Sequence, residues 1–161
     1  MADDSTKTQP EGVPRPDPAL KQLDRFVGTW SMEGHLVGSD ENNIKGQVSY
    51  RWLPGGFFLE QRMEMAFMGM KIHSLELIGY DPETGTFPST VYSNMSPAPL
   101  PYRWEVRDDA VTISVSYGPL NATFRGKFGQ DFKSFSGGWR PNPGADETVN
   151  VPYDIAGTRL T

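Results

Sequence analysis

The chain of 161 residues contains no cysteine, which excludes a disulfide framework, a thiolate metal site and a cysteine nucleophile. Its only histidines are His35 and His73, too few for a multi-histidine metal centre. No run of about 18 apolar residues occurs, so no membrane-spanning helix is expected. The N-terminus carries no apolar signal region, so export by that route is not expected. An excess of basic residues is missing too. The formal net charge is -5 with a pI near 5.0, which argues against nucleic acid or an anionic membrane surface as partners. No phosphate loop, Ser/His/Asp motif or metal-spaced cluster is present. These absences lead to a cytoplasmic protein without metal or cofactor.

What is present points to a folded, turn-rich chain. Aromatics make up 12% and charged residues 22%, alongside Gly 17 and Pro 14. One domain is expected at this length, and it is large enough for a sound core. Residues 1–16 read as a solvated tail, because polar residues and Pro10, Pro14 and Pro16 leave nothing to bury. The domain spans 17–161. Asp17 before Pro18 reads as a helix cap with proline at the first helical position. Leu20, Leu23 and Phe26 recur at three-residue spacing, giving a short helix one apolar face. Gly28 stops it.

After Gly28 the period becomes two. Trp30, Met32, Gly34 and Leu36 alternate with Ser31, Glu33, His35 and Val37. The same pattern returns around Val48, Met63, Trp104, Ile113 and Phe124. Alternation means one buried face and one wet face, as in antiparallel sheet. Pro54-Gly55-Gly56, Met68-Gly69, Asp108-Asp109 and Gly118-Pro119 supply turns between such runs. A two-residue loop at Asp108-Asp109 sets Arg107 opposite Ala110, Val106 opposite Val111 and Trp104 opposite Ile113, so apolar faces match. Roughly ten short strands at regular spacing follow. The fold class is all-β: a single antiparallel up-and-down β-barrel, with the short N-terminal helix plugging one end. Closure leaves no exposed edge.

The segment Phe26-Val27-Gly28-Thr29-Trp30 resembles the entry motif of the calycin barrels, namely lipocalins, cytosolic fatty-acid-binding proteins and nitrobindins. The resemblance implies that Trp30 closes one barrel end and that Arg159, from the last strand, packs over it. The Gly55-Gly56 turn before Phe57-Phe58-Leu59-Glu60, and Gly79-Tyr80-Asp81-Pro82-Glu83-Thr84-Gly85 before Phe87, look most like a bacterial lipocalin-like family of unknown function, DUF1579. The resemblance covers Leu20 to the end and concerns fold rather than chemistry. Departures from the better-known relatives are informative. Only a turn's worth of residues, Gly38 to Asn43, stands where fatty-acid-binding proteins carry two lid helices. No histidine follows His73, so the late iron ligand of nitrobindins has no counterpart.

The inferred interior is rich in methionine and aromatics. Met32, Tyr50, Met63, Met65, Trp104, Phe124 and Trp139 are expected to line a ligand site, since methionine moulds to irregular partners. The plain alternative is that they fill the barrel. Gln61 interrupts this apolar face. A two-residue Met68-Gly69 loop places Gln61 opposite Glu76 and turns Glu76 inward with Tyr80; a three-residue loop turns His73 inward instead. Glu76 or His73 is thus a candidate general base, and Gln61, Tyr80 and Tyr92 are candidate polar ligand contacts. A structural hydrogen bond between Gln61 and Glu76, joined by Tyr92, is the competing reading.

Two functions of different class follow. One is intracellular binding of a small hydrophobic ligand in the barrel. The other is a cofactor-free isomerase, cyclase or small hydrolase using Glu76 or His73. A filled barrel acting through its surface or as a homodimer is a third. A cavity of about 300 Å³ or more favours the first.

Overall fold

The computed structural model describes residues 12–161. Most of the tail expected over residues 1–16 lies outside the described residues, and residues 12–16 are exposed. Asp17 caps a 3₁₀ helix, Pro18–Phe26, by accepting the Ala19 N–H at 2.9 Å. A 3₁₀ helix turns once in three residues, which sets Leu20, Leu23 and Phe26 in one line; all three are buried.

Ten strands follow: β1 (Gly28–Leu36), β2 (Ile44–Trp52), β3 (Leu59–Phe67), β4 (Met70–Ile78), β5 (Phe87–Ser93), β6 (Leu100–Arg107), β7 (Ala110–Tyr117), β8 (Leu120–Phe128), β9 (Ser134–Pro141) and β10 (Tyr153–Arg159). Each pairs antiparallel with its sequence neighbours, and β1 pairs with β10 to close the barrel. Arg107 pairs with Ala110, Val106 with Val111 and Trp104 with Ile113, the register read from the sequence. Phe67 pairs with Met70, so Met68-Gly69 is a two-residue loop. Both of its residues have positive φ, 51° and 83°, as a type I′ hairpin requires.

The helix plugs the end where β1 begins and β10 finishes. Phe26 sends its ring into the core, with centroids 5.3 Å from Tyr50, 5.4 Å from Trp104 and 5.0 Å from Phe128. Trp30 donates its indole N–H to the Phe26 carbonyl at 2.9 Å. Arg159, paired with Trp30 across the closing strands, lies over the indole with Cζ 4.2 Å from the ring centroid. Its guanidinium also donates to the carbonyls of Val27, Arg25 and Phe132. One cation therefore caps the helix's last carbonyls and covers the tryptophan, as the resemblance implied. Gly28, with φ of 125°, makes the junction possible, since a Cβ there would meet the Thr161 carbonyl oxygen at 2.5 Å.

The opposite end carries the connections 37–43, 94–99 and 142–152, the last being the longest. Asn150 is buried and pins the 142–152 segment. Its side chain donates to the carbonyls of Pro119 and Asp146, each at 3.0 Å, and accepts from the Asn121 N–H at 2.8 Å.

Candidate functional site

Between the plugged end and the looped end the barrel holds a cavity of about 300 Å³. The barrel is therefore not packed solid by its aromatics. Met32, Tyr50, Gln61, Met63, Met65, Trp104, Phe124 and Trp139, all singled out from the sequence, line it. Val149 also lines it and is 43% exposed, which places the opening beside the 142–152 segment.

Among the described residues, one charged residue, Glu76, lines the cavity, and no arginine, lysine or histidine does. The alternation of β4 sends Ile72, Ser74 and Glu76 to the cavity. In register, Tyr50 on β2 lies opposite Gln61 on β3, and Gln61 opposite Glu76 on β4. These side chains form a polar row around an apolar wall. Gln61 donates its amide to the Tyr50 hydroxyl at 2.9 Å. Glu76 Oε2 accepts from Ser89 Oγ at 2.6 Å and from Trp104 Nε1 at 2.8 Å.

The other carboxyl oxygen, Oε1, has no hydrogen-bond partner among the described residues. Among the described residues the one buried side-chain polar atom lacking a partner is Asn43 Oδ1, so Glu76 Oε1 is not sealed in protein. It opens onto the cavity. Burial pushes the Glu76 carboxyl up to about 7, against the pull of the Ser89 and Trp104 donors toward the ionised form. Burial, reinforced by the nearby Glu76 charge, pushes the Tyr102 hydroxyl up to about 12 and raises Tyr50 further. The tyrosines thus stay neutral donors and acceptors at ordinary pH.

Three expected contacts fall outside this site. His73 stands on the outer face, its side chain 56% exposed and its Nδ1 3.7 Å from Glu64 Oε1. The two-residue Met68-Gly69 loop fixes the parity of β4, and parity that turns Glu76 inward turns His73 outward. Tyr92 is also outward and exposed, because Phe87, Ser89 and Val91 take the inner face of β5. Tyr80 follows the end of β4 and packs its ring 5.2 Å from Phe87, away from the cavity. The expected Gln61–Glu76–Tyr92 bonding is replaced by two separate sets, Gln61 with Tyr50 and Glu76 with Ser89 and Trp104.

The sequence reading missed Ser89, Tyr102, Tyr153 and Asn150, all of which line the cavity or hold Glu76. Tyr102 shares parity with Trp104, so alternation carried that signal, whereas Ser89 lies on β5, whose sequence alternates poorly. Asn150 belongs to a loop, where no periodicity marks an inward side chain. Among the described residues no cluster of histidine, aspartate or glutamate could hold a metal ion.

The fold is similar to that in the crystal structure of Rv2717c from M. tuberculosis, with a TM-score of 0.57 and 12% identity over 91% of this chain and 99% of that one. No curated protein matches the chain. At that identity the likeness speaks to fold alone. A family model describing proteins of unknown function, DUF1579, matches residues 15–125, and the chain belongs to that family.

Proposed function

We propose that this protein binds a small, largely apolar molecule inside its barrel, in the cytoplasm. The observation that carries the reading is the cavity of about 300 Å³ walled by aromatic and methionine side chains. That volume lies at the lower bound of ligand sites and is about twice the roughly 150 Å³ that accommodates benzene. Met32, Met63 and Met65 give the wall the adaptability suited to an irregular guest. The net charge of -5 argues against nucleic acid or an anionic membrane surface as a partner.

A native mass spectrum of protein purified from its own host tests this. The expected result is a chain carrying extra, non-covalent mass; the same spectrum reports whether it is a homodimer. A bare chain that also takes up no member of a panel of small apolar compounds overturns the reading.

Glu76 supports a second reading. A carboxyl held near neutrality beside Tyr50 and Tyr102 has the properties of a general base in a proton-transfer isomerase or cyclase. Turnover abolished by Glu76→Gln would favour that reading. Ligand retention without turnover would favour binding.

A further inference from the structure

From the charge pattern of the cavity wall we infer a chemical class of guest. The cavity selects small amphipathic amines, held as ammonium ions against Glu76 Oε1 among Tyr50, Tyr102 and Trp104, over acids and neutral analogues. This rests on the ligand-binding reading above.

Among the described residues, Glu76 is the one residue of the lining that can carry charge near neutral pH, and its charged form is negative. A carboxylate guest would meet this charge with no arginine, lysine or histidine among the described residues of the wall to offset it. A purely apolar guest would leave Oε1 without a partner inside the barrel, at the cost of a buried polar atom left unsatisfied. An ammonium group satisfies Oε1 with a charge-assisted hydrogen bond. Tyr50, Tyr102 and Trp104 line the cavity around that carboxyl, and aromatic rings attract cations. A short apolar body then occupies the methionine-rich wall beyond.

The remaining ionisable groups of the lining are Tyr50, Tyr102 and Tyr153, all raised by burial and therefore uncharged. Glu76 alone changes state on binding. Where it is protonated in the empty protein, its proton leaves to solvent as the ammonium ion enters, or transfers to an amine that enters neutral. With the empty carboxyl at about 7, about half a proton should leave per phenethylamine ammonium bound at pH 7.

Calorimetry with matched probes tests this: phenethylamine, phenethyl alcohol, phenylpropionate and propylbenzene, at pH 8. Phenethylamine is expected to bind at least about tenfold more tightly than the alcohol, with phenylpropionate weakest. Glu76→Gln should collapse the amine-to-alcohol ratio to near one, whereas Glu64→Gln, on the exposed outer face of β3, should leave it unchanged. Titration in two buffers of different ionisation enthalpy should return the proton release in the unmodified protein, which keeps the test decisive if Glu76→Gln does not fold. An amine no tighter than the alcohol, a ratio unmoved by Glu76→Gln, or no proton released at pH 7 overturns the amine inference while leaving cavity binding standing. Failure of all four probes to bind overturns the amine inference, and overturns cavity binding as well where the native mass spectrum shows a bare chain.

Discussion

Trp30 and Arg159 are the residues on which the plugged end depends. Trp30 is 3% exposed, and its removal opens a cavity under the helix. Trp30→Ala should cost about 3 to 5 kcal/mol. Arg159→Ala should cost less, since a cation over an indole contributes about 0.5 to 2 kcal/mol. Because the two groups touch at 4.2 Å, the double variant should lose less than the two single losses combined, as urea melts of all four proteins would reveal. Glu76 gives a different signature. Its carboxyl titrates at about 7 when folded and at 4.5 when free. Below 4.5 both states hold the proton; between the two values only the folded state does. Its stabilisation is thus complete at low pH and lost as pH rises to about 7, a change of about 3 kcal/mol. Glu60 runs the other way, held below the usual carboxylate range by Arg62, and its contribution fades as pH falls. Comparing thermal melts of the native protein and Glu76→Gln at pH 5 and pH 8 cancels Glu60. The variant should gain on the native protein at the higher pH.

At the scale of elements, much of this was legible in advance. The strand alternation, the Asp108-Asp109 register and the Asp17 cap depend on local chemistry: side-chain period, turn residues, a short polar cap. The helix type was less legible, because three-residue spacing of Leu20, Leu23 and Phe26 fits either an amphipathic α turn or a 3₁₀ line. The choice between Glu76 and His73 depended on one residue of loop length at Met68-Gly69, which alternation alone does not fix. Tyr92 was misplaced because its strand had no clean alternation to set parity, and Asn150 because loops have none. The junction of helix and barrel makes its own prediction. Gly28 has φ of 125°, and a Cβ there would reach the Thr161 carbonyl oxygen. Gly28→Ala should therefore destabilise by about 1 to 3 kcal/mol, measured as a lowered urea midpoint with an unchanged slope.

Across the whole molecule, the two ends of the barrel differ in construction. One is sealed by an indole, a guanidinium and a helix; the other is bordered by loops, with Val37, Met68, Met95 and Val149 exposed around it. Asn150 fastens the 142–152 segment there through its three side-chain bonds. Asn150→Ala should speed amide hydrogen exchange across that segment while leaving the plugged end protected. The manner of closure bears on how the chain acquires its shape over time. Each strand pairing but one links sequence neighbours; the exception joins β1 to β10, where Thr29 meets Thr161 across 132 residues. Local hairpins form quickly, and a contact of such long range forms slowly because the intervening chain must be ordered first. During synthesis the outer margin of β1 therefore waits without a partner until the final strand emerges, and the Trp30–Arg159 contact, made between the first and last strands, is among the last to form.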